Sequence, residues 1–351
     1  MRIAIFSDLQ AADKTDRCFT DSAVPLQRWR VQKFYEWLWD LCEDRKVDGV
    51  IDAGDTTDRR DSIALPTIDT ILTWSAKFGE RYGKGVNIKV QGNHDHHVKN
   101  GTIHNGAMFM SGYRVVCDKV ERLTFKDGTA IVCAPFSEDT ETLTRQIVAA
   151  RDPDCMLIGH FQTIGARMNS GISQAGIALG ALSGYAAVLL GHVHKPQQLG
   201  DGIHYIGSPF QQDFGEAGED KRVAIIDTKK KTVEWIPVHG FPKYRSLRLD
   251  AFLKLERAHP EDRFKVTVSG IEEASRVAEH GLGAQAEPVY VDAGATSVQA
   301  EAEARAHWSL ETAVRSWVAA HPYAEFNHYR KTPEDALSDD DLVDLGLSVL
   351  S

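Results

Sequence analysis

Apolar residues fall along the first two thirds of the chain in short runs, and most runs stop at a glycine followed by a polar side chain. Ile3 to Ser7 is closed by Asp8, Val47 to Ala53 by Gly54-Asp55-Thr56-Thr57-Asp58, and Val86 to Val90 leads into Gly92-Asn93-His94-Asp95. Thr129 to Ala134 repeats the pattern. Met156 to Ile158 ends in Gly159-His160, Ala186 to Leu190 in Gly191-His192-Val193-His194, and Tyr205-Ile206 in Gly207-Ser208-Pro209. Runs with little alternation predict strands buried on both faces. Between them, Gln27 to Arg45 places Trp29, Phe34, Trp37, Leu38 and Leu41 near one helical face. Pro66 opens a second helix as far as Phe78, and Glu138 to Ala150 forms a third.

Strands alternating with helices predict an α/β domain whose sheet is covered on both faces, with ligands gathered at the carboxyl ends of the strands. Arg222 to Asp227 and Thr232 to Val238 read as paired strands around the turn Lys229-Lys230-Lys231. Gly240-Phe241-Pro242 marks a domain boundary. Beyond it, Arg263 to Val268, Glu272 to His280 and Pro288 to Val291 read as strand, helix, strand. Asp292 to Ala306 is a linker or an exposed helix. Ser309 caps a helix with an apolar stripe of Leu310, Ala313, Val314, Trp317 and Val318, which Pro322 ends. A last helical segment begins at Thr332-Pro333, with Leu342, Leu345 and Val349 as its apolar side. The resulting division is 1–240, 241–300 and 301–351.

Composition narrows the class. A chain of 351 residues with 42% hydrophobic and 26% charged residues has the make-up of a soluble protein of two or three domains. No stretch approaches the ~20 uninterrupted apolar residues of a membrane span. Five cysteines (Cys18, Cys42, Cys117, Cys133, Cys155) show no C-x-x-C spacing, which predicts reduced thiols and a cytoplasmic protein. A net charge of -10 argues against a nucleic-acid coat protein, because phosphates are met mostly by basic groups. It leaves room for a nuclease, since metal ions supply local positive charge. Thr332 to Leu345 carries Glu334, Asp335, Asp339, Asp340, Asp341 and Asp344 with no basic residue, so this segment is expected to stay away from phosphate.

The polar groups at the strand ends are Asp8 with Gln10, Asp55 with Asp58, Asn93 with His94, His160, and His192 with His194. Carboxylates, imidazoles and an amide suit borderline divalent ions such as Mn²⁺, Fe²⁺ or Zn²⁺ better than Ca²⁺. Two such ions clamp a phosphate, ionise a water at neutral pH and stabilise a leaving oxygen. Asp55, at the end of a central strand, is the natural bridge between them. His96 and His97 flank this set and read as solvated loop residues. Asp52, inside its strand, reads as structural or as an outer support.

In order, Asp-x-Gln, Gly-Asp-x-x-Asp, Gly-Asn-His-Asp, Gly-His and Gly-His-x-His resemble the motifs of calcineurin-like metallophosphoesterases over roughly the first 240 residues. The resemblance implies a β-sandwich flanked by helices, with a smaller α+β capping domain and C-terminal helices. It assigns Asp8, Asp55 and His194 to one metal, and Asp55, Asn93, His160 and His192 to the other. His94 becomes the acid or phosphate-contacting group, oriented by Asp58. The family usually has His where this chain has Gln10, a weaker and neutral donor. Gln10 is therefore either a poor ligand or a loop amide, and the expectation is a loosely held first ion and a preference for Mn²⁺.

Tyr205-Ile206-Gly207-Ser208-Pro209 followed by Phe214-Gly215-Glu216 looks like the SbcD-type nucleases of double-strand-break repair, and Gly54-Asp55-Thr56-Thr57-Asp58-Arg59 with Lys99-Asn100 resembles their bacteriophage branch. That resemblance implies 3′ to 5′ exonuclease action on duplex ends and endonuclease action on single strands. It further implies a homodimer, a DNA-capping second domain, and a terminal segment docking an SbcC-type coiled-coil ATPase. Arg59 and Arg60, directly after the second motif, are candidates for gripping DNA phosphates. The chain has no G-x-x-x-x-G-K-[ST] loop, so ATP use would fall to that partner. The alternatives are a small-molecule or nucleotide phosphodiesterase on the same scaffold, and a protein weakened through Gln10 that only tethers DNA.

Overall fold

Successive residues of the strand Arg2–Phe6 face opposite sides of a sheet, and both sides are apolar: Ile3 and Ile5 enter one buried cluster, Ala4 and Phe6 another. A strand between two cores needs apolar residues at every position, which is why it reads as a continuous run. The computed structural model describes residues 1–13, 24–60, 62–95, 110–168 and 171–290.

Two six-stranded sheets carry the architecture. The first runs Thr232–Pro237, Arg222–Asp227, Arg2–Phe6, Gly49–Asp52, Ile88–Val90, Arg114–Val116. Its last four strands are parallel, and Arg222–Asp227 pairs antiparallel on Arg2–Phe6. The second sheet runs Gln197–Gly200, Ile203–Tyr205, Ala187–Gly191, Met156–His160, Ala130–Ala134, Glu121–Thr124, with its four inner strands parallel.

The sheets pack face to face through Ile3, Ile5, Ile51, Ile88 and Val90 from one and Ile131, Cys133, Met156, Ile158 and Leu189 from the other. Helices Leu26–Asp44 and Leu65–Tyr82 cover the outer face of the first sheet with Val31, Phe34, Leu38, Ile71, Trp74 and Phe78. Helix Thr140–Ala149 covers the second with Leu143 and Ile147. The result is a four-layered α/β sandwich. At about 25 cal/mol per Å² of apolar surface buried, three such clusters are the main stabilising term.

The strands and helices predicted within the described residues are present, with ends moved by a residue or a few. The strands Arg114–Val116, Glu121–Thr124 and Gln197–Gly200 carried no expectation, and all three are sheet edges. These three are short and carry polar residues, so they leave no apolar run to detect.

The chain divides into two units, 1–266 with 277–287, and 267–276 with 288–351. In the first, Phe252 packs edge-on against Phe264 with ring centres 5.4 Å apart. In the second, the Glu273 carboxylate accepts from the Ser269 amide at 2.6 Å, capping the start of helix Ile271–Glu279. Tyr244–Arg248, Arg263–Val268 and Ala286–Tyr290 are strands. The expected linker after Asp292, the Ser309 helix, the acidic tail, and His96, His97, Lys99 and Asn100 lie outside the described residues. No helix among the described residues is long and apolar enough to cross a membrane. Cys42, Cys133 and Cys155 are free thiols, and Cys18 lies outside the described residues.

Candidate metal centre

The carboxyl ends of the parallel strands of both sheets meet at one edge of the sandwich. Asp8, Asp55, Asn93 and His94 follow three neighbouring strands of the first sheet, while His160 ends one strand of the second and His192 and His194 follow the next. One ligand atom each of Asp8, Asp55 and His160, all buried, lie within 4.8 Å of one another. His160 Nε2 stands 3.3 Å from Asp55 Oδ1 and 3.1 Å from Asn93 Oδ1. His192 Nδ1 donates to the same Asn93 oxygen at 2.7 Å. On the other side, His194 Nε2 is 3.9 Å from Asp8 Oδ1. Asn93 thus joins His160 and His192, while Asp8 lies beside Asp55 and His160, accepts the His192 amide at 3.1 Å and faces His194.

The local backbone is shaped to hold these groups. Six non-glycine residues among those described have positive φ, and four are Asp8 (55°), Gln10 (52°), Asp55 (54°) and His192 (91°). Each such position costs on the order of 1 kcal/mol and persists only where surrounding contacts enforce it. Here they do: the Asp8 amide donates to the Gly54 carbonyl at 2.9 Å and the Gln10 amide to the Asp55 carbonyl at 3.0 Å. The glycines before the polar residues also have a steric reason. A Cβ on Gly92 would strike Asp55 Oδ1, and one on Gly54 would strike the His160 ring. The repeated glycine is the close approach of backbone to ligand side chain, read in the sequence.

His94 lies at the rim. Its amide donates to Asp55 Oδ1 at 2.8 Å, and its Nδ1 donates to the main-chain carbonyl of Asp58 at 2.5 Å. Asp58 is thus tied to His94 through its backbone. Arg59 is exposed and Arg60 half-buried, on the same loop.

Electrostatics hold the cluster in opposite charges. Burial would push the Asp55 carboxyl up, but the charge and hydrogen bond of His160 override it and hold Asp55 below the usual carboxylate range. Burial would lower His160, yet Asp55 raises it to about 9. A cation at this place and the His160 proton therefore exclude each other. Burial and then the neighbouring His160 push His192 down to about 4, leaving it a neutral imidazole at pH 7. Asp8 is raised, first by burial.

The residues present fit divalent ions. Two carboxylates, three imidazoles and an amide oxygen, mostly buried, form an unusually polar cluster for a protein interior. Gln10 adds a more specific observation. Its Nε2 donates to Asp55 Oδ2 at 3.1 Å, while its Oε1 is buried with no hydrogen-bond partner among the described residues. A buried acceptor left unpaired costs on the order of 1–3 kcal/mol, and a cation beside it removes that cost.

Two supports were not evident as such from sequence. Lys89, fully buried in the strand Ile88–Val90, lies 3.1 Å from Asp52 and 2.9 Å from Asp95, and donates to Thr56 Oγ1. Asp95 in turn accepts the amides of Gly92 (2.9 Å), Asp55 (3.0 Å) and Thr56 (3.2 Å). This buried triad ties the two loops together from below. A lysine inside an apolar strand was the signal for it. The second support is Glu216, whose Oε1 accepts from His194 Nδ1 at 2.7 Å.

The family model of the calcineurin-like phosphoesterases matches residues 1–196, just over half of the chain. Among individual proteins, the phage T4 exonuclease known as Exonuclease subunit 1 is 28% identical over 153 residues, covering 42% of this chain and 44% of that protein. The SbcD component of the nuclease SbcCD from Escherichia coli K12 is 24% identical over 240 residues, covering 56% of this chain and 58% of that protein. The chain thus spans about half the length of the curated relatives it matches. A solved dimetal phosphatase from Danio rerio aligns over 68% of this chain and 99% of its own at 12% identity, with a TM-score of 0.39.

Proposed function

The chain belongs to the calcineurin-like phosphoesterase family, and from that premise we propose that it is a two-metal DNA nuclease, the nucleolytic component of a complex with a coiled-coil ATPase in DNA repair or recombination. The observation that carries the reading is the convergence on Asp55: His160, Gln10 and the His94 amide all meet its carboxylate, with Asp8 beside it. Asp8, Asp55 and His194 would hold one ion, and Asp55, Asn93, His160 and His192 the other. Mn²⁺ is the ion expected, with Gln10 a weak ligand on the first. Such ions supply Lewis acidity toward a phosphodiester and an ionised water at neutral pH.

The protein's own groups supply position and charge. With Nδ1 held by the Asp58 carbonyl, His94 presents Nε2 to the reacting phosphate or the leaving 3′ oxygen. Arg59 and Arg60 stand on the adjoining loop to meet flanking phosphates. The choice of DNA over a small diester is supported by the similarity to two nuclease components. The motif resemblance to the SbcD-type nucleases extends this reading to 3′ to 5′ action on duplex ends, single-strand endonuclease action, a homodimer, and a division into a nuclease domain (1–240), a capping domain (241–300) and an ATPase-docking segment (301–351).

The test is incubation of the whole chain with end-labelled duplex and single-stranded DNA in Mn²⁺, beside Asp55→Ala. Metal-dependent cleavage that falls by about 100-fold or more in the variant is expected. Hydrolysis of a chromogenic diester with DNA left intact would show a small-molecule enzyme instead, and no hydrolysis of either, with or without the ATPase, a tethering protein.

A further inference from the structure

His94, His160 and His192 direct Nδ1 at neutral oxygens: the carbonyls of Asp58 and Ala53 and the amide of Asn93. His194 directs Nδ1 at a carboxylate. From this difference we propose that Glu216 is the positioning residue of His194, fixing its ring so that Nε2 is the donor offered to the ion on the Asp8 side. The inference rests on the metal-centre reading above.

Glu216 is only 3% exposed, and both of its oxygens are engaged. Oε1 accepts a hydrogen bond from His194 Nδ1; Oε2 lies 2.7 Å from Lys221 Nζ and accepts from Ser208 Oγ at 3.1 Å and the Gln212 backbone amide at 3.0 Å. Lys221 also donates to the His194 carbonyl at 2.9 Å, so the same pair grips the backbone and the ring of one residue. The turn Phe214–Glu216 is set by Asp213, whose carboxylate accepts from the Gly215 amide at 2.7 Å.

A buried ion pair is a poor source of stability, because desolvation consumes most of the attraction, and apolar residues of like volume commonly serve as well. Its presence here follows from what it does to the imidazole. The two ring nitrogens of a histidine point apart, so one that donates through Nδ1 to a fixed carboxylate keeps Nε2 as a lone pair in a fixed direction, with its basicity raised. His194 Nε2 points to Asp8. This is the half of the cluster where Gln10 stands in place of an imidazole, so the stronger orientation falls on the side with the poorer donor set. Gln212 joins the two walls: its amide bonds Glu216, its Nε2 reaches the Asp8 carbonyl at 3.4 Å, and its Oε1 accepts from Gln27, which also bonds the Gln10 carbonyl.

Mn²⁺ titration of the whole chain, followed by calorimetry and by the electron paramagnetic resonance of free Mn²⁺, tests this. In Glu216→Gln the weaker binding step should lose roughly 10–100-fold in affinity while the tighter step is unchanged. Anomalous peaks from crystals in sub-saturating Mn²⁺ should assign the lost occupancy to the Asp8 and His194 side. Unchanged binding in the variant, or equal weakening of both steps, would overturn the role of Glu216 while leaving the metal centre standing. Absence of Mn²⁺ uptake by the native protein would overturn the metal reading and the proposal with it. Should Glu216→Gln not fold, Glu216→Asp decides: it keeps the charge one methylene short, and a loss confined to the weaker step is expected where no loss would refute the assignment.

Discussion

Gln10 stands at 3% exposure with its Nε2 on the Asp55 carboxylate and its Oε1 unpaired. An amide in this place contributes no charge and a weaker donor than imidazole toward borderline ions. The native protein should therefore bind Mn²⁺ in two unequal steps. Gln10→His should tighten the weaker one by on the order of 10-fold. Histidine is among the residues that tolerate the φ of 52° held by Gln10, so the change is compatible with the backbone. Calorimetric titration decides it: two equally tight steps in the native protein, or no tightening in the variant, would rule out Gln10 as the weak point.

At the scale of the elements, the loops after strands Gly49–Asp52 and Ile88–Val90 are held from beneath by Lys89, Asp52 and Asp95. Burial alone would strip the proton from Lys89, yet the two carboxylates push its pKa up, so it is a buried cation. Removing one partner from such a group leaves charge without compensation. Lys89→Met should lower unfolding stability by about 3–5 kcal/mol in urea titrations. It should also weaken both Mn²⁺ steps together, since Asp95 organises the amides of Gly92, Asp55 and Thr56. A variant as stable as the native chain would show that the triad is dispensable. The contrast with Glu216, where one step alone should suffer, separates a support of the whole centre from an orienting contact on one ligand.

For the whole molecule, the candidate ligands come from residue 8 through residue 194 and from both sheets. An unfolded chain cannot present them together, so ions bind the folded state and stabilise it by mass action. At 100 times the dissociation constant the gain is about 2.7 kcal/mol. Thermal unfolding in Mn²⁺ should run several degrees above unfolding in chelator, and Asp55→Ala should abolish the difference. Equal melting of the native protein in both conditions would contradict a centre assembled from these strands.

The order of motifs in the sequence carried the family, the α/β class and the identity of the clustered side chains, because parallel strands buried on both faces must read as apolar runs and their carboxyl ends must carry the ligands. Gly92 and Gly54 were legible as punctuation, but the collision each avoids, with Asp55 and with His160, exists only when the strands are side by side. Edge strands such as Glu121–Thr124 left no pattern, being short and carrying polar residues. Lys89 and Glu216 were visible as residues, yet what they touch lies 37 positions away at Asp52 and 22 away at His194. Sequence determined which donors are available; tertiary structure alone decided which nitrogen of His194 faces Asp8, because the orientation of a ring is set by the partner of its other nitrogen.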